Sequence, residues 1–86
     1  MKINVYAIYD KVAQVYQHPW VDTSDMTAVR AFKLACQDNA SLFSMCPDDF
    51  ILYRVGMFND KSGTFCECEL PVKIVDGQPL EVKDDV

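Results

Sequence analysis

The sequence predicts a small α+β fold: an antiparallel β-sheet of two hairpins with one helix between them, in the order ββαββ, the helix packed on one sheet face. Three observations point there. Residues 2–17 and 50–70 hold stretches rich in aromatic and β-branched side chains. Residues 26–37 repeat their apolar positions at helical spacing. Turn-forming residues separate these stretches where the chain must reverse. A length of 86 residues, half of them apolar, suits one domain with one modest core. The domain is expected over residues 1–75, with residues 76–86 as an acidic, flexible tail.

Lys2 to Tyr9 (KINVYAIY) alternates Ile3, Val5 and Ala7 on one face with Asn4, Tyr6 and Ile8 on the other. Its opening alternation fits a strand rather than the block layout of a signal peptide. Asp10-Lys11 is a tight turn, and Val12 to Gln17 returns as the second strand, setting Tyr9 opposite Val12. Pro19 lacks the N–H a ladder needs, so the chain there leaves the sheet or runs at its edge. Trp20 is expected to cover one end of the core. Asp22-Thr23-Ser24-Asp25 is a helix start. In the helix, Ala28, Phe32 and Ala35 form the buried stripe, flanked by Val29 and Cys36, while Arg30, Lys33 and Gln37 share the opposite side. Asp38-Asn39 stops it, and Leu42, Phe43 and Met45 are expected to tuck under the fold.

Phe50 to Phe58 (FILYRVGMF) is apolar on both faces apart from Arg54, which marks a central strand. Gly56 within it signals a bulge or a close approach by the helix. Asn59 to Gly63 is a hairpin loop, and Thr64 to Leu70 pairs back until Pro71 ends the strand. Val72 to Val75 adds a short strand or drapes over the domain. One helix cannot cover both faces of such a sheet. The open face is expected to expose some of Tyr6, Ile8, Val15, Leu52 and Phe65, which invites a partner or a ligand that stacks.

Charge limits the function. Thirteen acidic residues face eight basic ones, a net charge of -5. Asp76, Glu81, Asp84 and Asp85 against Lys83 concentrate much of that excess after Val75. The body is close to neutral, which excludes a strongly basic, duplex-gripping surface and leaves room for a local basic stripe. No apolar run approaches the ~20 residues of a membrane helix, so no membrane partner is expected. Cys66 and Cys68 share a strand face, a C-x-C that could ligate zinc with Cys36 or Cys46 and His18, but no second tight pair exists. Small apolar core and strand roles suit these cysteines better, so no metal, disulfide or cofactor is expected. Phosphate-cradling glycine motifs and a nucleophile–base pair are missing from the sequence, and the single histidine sits beside Pro19. The expectation is a protein that is not an enzyme.

Several blocks carry a likeness to known proteins: Tyr9-Asp10 closing the first strand, Ala28-x-Arg30-x-Phe32 in the helix, and Pro47-Asp48-Asp49-Phe50-x-Leu52-Tyr53. Val55-Gly56-x-Phe58-Asn59-Asp60-x-x-Gly63 is the most specific of them. From about Met1 to Val75 the chain resembles the small nonstructural, DNA-binding protein of the gokushoviruses, microviruses with circular single-stranded DNA. The resemblance implies a role in genome replication or packaging, in the cytoplasm of an infected bacterium. It offers no catalytic residues to carry over.

Two functions follow as expectations. The first is a single-stranded DNA-binding accessory protein. Its candidate stacking residues are Tyr6, Tyr53 and Phe65, and its candidate cations Lys2, Arg30, Lys33, Arg54 and Lys61. The second is a homodimeric protein-interaction module, pairing through the open sheet face or edge strands, that regulates a viral or host replication protein without touching DNA.

Overall fold

The computed structural model describes residues 2–38 and 42–77, and of residues 67–70 the backbone alone. Expectations for the tail beyond Gly77, for Asn39 and for the Cys68 side chain lie outside the described residues. The elements, in order, are β1 (Lys2–Asp10), β2 (Val15–Tyr16), β3 (Trp20–Asp22), α1 (Asp25–Gln37), α2 (Leu42–Met45), a 3-10 turn (Pro47–Asp49), β4 (Phe50–Asn59) and β5 (Thr64–Asp76). Among the described residues one five-stranded sheet forms, ordered β2-β1-β4-β5, with β3 also on β1. All its pairings are antiparallel. The α+β class and the central place of β4 match the sequence reading.

The first hairpin differs from expectation in length and register. Tyr9 pairs with Tyr16, not Val12, because residues 11–14 form a longer turn. Asp10 builds it: its carboxylate accepts the N–H groups of Val12 and Ala13, and its carbonyl accepts Gln14 N–H at 2.7 Å. Gln14 takes a left-handed φ of 60° to close it. His18-Pro19 then interrupts the edge, and the chain rejoins β1 as β3, with Val5 opposite Val21.

Ser24 caps α1. Its hydroxyl accepts Thr27 N–H while the Thr27 hydroxyl accepts Ser24 N–H, a reciprocal capping box. Ala28, Phe32 and Cys36 are buried by α1 against Tyr6, Ile8, Phe50 and Leu52 of the sheet. Tyr6, Ile8 and Leu52, expected in part on the open face, are therefore covered by the helix; Val15 and Phe65 remain exposed. Phe43 packs edge-on against Phe32 and Phe50, but Leu42 and Met45 on the same short helix stay exposed, contrary to expectation. A four-residue helix has one inward-facing position, and Phe43 fills it.

Pro71 does not end β5, which runs for 13 residues. It is an edge strand, where a missing N–H costs no ladder bond. Pairing passes from Gly56↔Glu67 to Arg54↔Val72, so residues 68–71 stand where β4 has only Val55. Beside that bulge Gly56 approaches the β5 backbone, not the helix: a Cβ there would sit 3.2 Å from Cys66 O. Gly63 closes the second hairpin at φ 74°, a conformation that glycine adopts without strain. The strand also carries past the expected domain limit. Asp76 pairs with Ile51, and Gly77 is buried with its N–H on Phe50 O.

Candidate nucleic-acid interface

The sheet face turned away from α1 carries a cluster of tyrosines. β-pairing sets Tyr9 directly opposite Tyr16, while Tyr53 lies opposite Ala7, one step along the same face. The small Ala7 side chain leaves room for the rings to converge. Tyr9 and Tyr16 centroids lie 4.8 Å apart, and Tyr53 meets Tyr9 at 6.2 Å and Tyr16 at 5.6 Å, both edge-on. Tyr9 and Tyr53 are half-buried, whereas Tyr16 is 45% exposed. Partial burial, then the neighbouring Tyr53 and Tyr9, pushes the Tyr16 phenol pKa upward, so that ring stays neutral near pH 7.

A second aromatic pair lies farther along the same face. Phe58 is opposite Ile3 in β1 and Phe65 in β5, and the two rings sit 5.0 Å apart. Phe65 is 68% exposed. Ile3 and Ala7, the β1 partners of Phe58 and Tyr53, are separated by about 13 Å of strand. Val5 and Ala7 between them are buried. The face thus presents two aromatic platforms on a rigid, closely paired floor. Lys73 lies opposite Tyr53 in β5, exposed and ion-paired to Asp76 at 3.0 Å.

This geometry gathers some of the expected residues and scatters others. Tyr53 and Phe65 belong to the two platforms. Lys61 lies in the exposed loop between β4 and β5, next to the phenylalanine pair, and Lys2 is exposed opposite Asn59 at the same end. Tyr6 is a correction. It is wholly buried under α1, and its hydroxyl donates to Asp25 Oδ1 at 2.5 Å while accepting from Asn4 Nδ2 at 3.1 Å. Burial first, then the Asp25 hydrogen bond, pushes its pKa up to about 12. Arg54 is the second correction, because alternation turns it to the helix face, where its guanidinium donates to both Asp25 oxygens at 3.0 and 2.8 Å. Asp25 is held below the usual carboxylate range by Tyr6 first and Arg54 next. Arg30 and Lys33 are exposed on the outer side of α1, across the sheet from the tyrosines. Among the described residues no three His, Cys, Asp or Glu side chains converge to hold a metal ion, and Cys36, Cys46 and Cys66 are not in disulfides.

The family model of the Phage ORF5 protein matches residues 3–80. The chain belongs to this phage family. No curated protein and no solved structure gives a significant match. Nor is any described helix of this phage protein long and apolar enough to cross a membrane. The family match covers both aromatic platforms, from Ile3 to Phe65.

Sequence reasoning missed Tyr9, Tyr16 and Phe58. A signal for Tyr9 was present: it has the same parity as Val5 and Ala7 and so shares their face. Tyr16 was hidden by the wrong hairpin register, which set Val12 in its place opposite Tyr9. Tyr53 was found only as an aromatic on a strand, without its neighbours.

Proposed function

We propose that this phage protein is a non-enzymatic accessory protein that binds single-stranded DNA on its open sheet face during genome replication or packaging, in the cytoplasm of the infected bacterium. In this reading it serves a gokushovirus-type microvirus with a single-stranded genome. One observation carries the reading: the Tyr9–Tyr16–Tyr53 cluster, with Tyr16 exposed, on the sheet face turned away from α1, which no helix among the described residues covers. Neutral aromatic faces stack on any base, and they do so without the dense positive charge this chain lacks. Lys61 and Lys73 border the face and supply the few backbone contacts available, whereas Lys2 shares the strand parity of Tyr6, on the helix side.

The test is fluorescence anisotropy with a labelled oligothymidine at low salt. Tyr16→Ala and Phe65→Ala remove exposed rings from the two platforms, and each should weaken binding by about 5- to 150-fold, the equivalent of ~1–3 kcal/mol per stacked base. The salt slope should be shallow, about one to three charges' worth. Tyr6→Phe should leave affinity unchanged. Absence of binding by the full chain and by a chain ending at Gly77 would refute the reading.

The alternative is a homodimeric interaction module. It is favoured by β5, a long strand at the edge of the sheet among the described residues, with Phe65 and Val72 exposed. Light scattering through a dilution series separates the two: a mass near 9.8 kDa at every concentration removes the dimer.

A further inference from the structure

The sheet edge beside the tyrosine cluster is bulged. Tyr16 pairs with Tyr9 and Trp20 with Tyr6, so Gln17, His18 and Pro19 stand where β1 has only Ala7 and Ile8. An extra residue at a sheet edge re-aims the side chains around it. The backbone here is held on both sides. Gln17 N–H donates to Ile8 O at 2.8 Å, β3 begins at Trp20, and the ring of Pro19 fixes its φ. Gln17 and His18 therefore project from an anchored segment.

Together with Tyr16 they line an open cavity of about 370 Å³, within the size range of small-ligand sites. Its chemistry is one aromatic ring, one carboxamide and one imidazole. Among the described residues neither the Gln17 carboxamide nor the His18 ring has a hydrogen-bond partner. A flat ring beside unused donors and acceptors suits a flat ligand with donors and acceptors on its rim, which is a nucleobase. The carboxamide narrows the choice. It offers a carbonyl oxygen and an NH2 group side by side, and the N6/N7 edge of adenine presents the matching N–H donor and ring-nitrogen acceptor. The same edge of guanine presents two acceptors, one of which would face the carbonyl oxygen. Pyrimidines have no N7 at all.

We propose that this cavity holds one adenine of a bound single strand, its face on Tyr16 and its N6/N7 edge on the Gln17 carboxamide, with His18 as the remaining wall. The inference rests on the single-strand reading and adds to it a base preference at one position.

The test is fluorescence anisotropy at low salt with three labelled strands of equal length. One is oligothymidine, the second carries a single central adenine, and the third carries 7-deazaadenine there, which has carbon in place of N7. Adenine should tighten binding about 5- to 150-fold over thymine, the discrimination of a bidentate base contact. 7-Deazaadenine should lose most of that gain. Gln17→Leu should bring the three strands to one affinity, while its amide NMR spectrum reports an intact sheet. Equal binding of the three strands by the unmodified protein would overturn the proposal and leave single-strand binding standing. A gain that survives 7-deazaadenine or Gln17→Leu would overturn it in favour of purine stacking alone. Tighter binding of free dAMP than of any strand would overturn it by making the cavity a site for a free nucleotide. Absence of binding by every strand would refute the underlying reading and this inference with it.

Discussion

Tyr6→Phe removes one oxygen atom from the middle of the core, at the point where sheet and helix start are tied together. The ring is wholly buried, so its apolar packing survives the change. What is lost is a hydrogen bond to the Asp25 carboxylate at 2.5 Å and the acceptor for Asn4 Nδ2. Hydrogen bonds to charged groups contribute about 1.5–3 kcal/mol. Asp25 is 41% exposed and keeps Arg54, so solvent and guanidinium screen the loss toward the lower end of that range. The expected cost is about 2 kcal/mol, or roughly 8–16 °C in Tm for a domain of this size.

The pH dependence gives a sharper test. The folded pKa of Asp25 is lowered, so its contribution is fully present above the unfolded value of about 3.9 and is lost as pH falls through the folded value. The folded pKa of Tyr6 is raised to about 12, so the neutral phenol stabilises the fold at neutral pH, and this is lost as pH rises from about 10 toward 12. Urea unfolding of both proteins from pH 2 to 11 should show the largest difference on a plateau between about pH 5 and 9, falling away on both sides. A difference under 0.5 kcal/mol at pH 7, or one that does not vary with pH, would refute this account; for scale, that limit is about a quarter of the expected effect.

Four further outcomes follow from the same structure. Ser24→Ala breaks the capping box and should cost about 1 kcal/mol, read as a lower midpoint in a circular-dichroism melt. Gly77→Ala drives a Cβ into the Pro47 carbonyl oxygen; the end of β5 must shift away, with faster exchange of the residue-77 amide and about 1–3 kcal/mol of lost stability. Cys46 is exposed and Cys36 buried, so a thiol reagent should label Cys46 at once and Cys36 only on unfolding. Folding should be indifferent to chelator and reductant.

The sequence by itself determined α1 and the strands β1, β4 and the first part of β5, because each rests on local chemistry. The period of Ala28, Phe32 and Ala35 fixed the buried side of the helix. Ser24 and its neighbours fixed its start, and Asn59 to Gly63 fixed the second hairpin. Length and net charge set the functional limits, one small domain without a basic surface, and motif blocks around Phe50 and Gly56 carried the phage resemblance. Sheet register and the choice of covered face were decided only by the tertiary structure. Alternation splits β1 into two faces but does not say which one the helix takes, since Val5 and Ala7 are as apolar as Ile8. That choice depends on long-range fit. Tyr6 faces the helix because its hydroxyl finds Asp25, 19 residues away in the chain, and Asp25 in turn holds Arg54, 29 residues further on. Burying this pair of residues turned Tyr53 outward. The Asp10 side chain then lengthened the first turn and slid Tyr16 against Tyr9. The tyrosine cluster exists because one long-range fit and one side-chain-built turn put three rings on one face, and no apolar period along the chain records either of them.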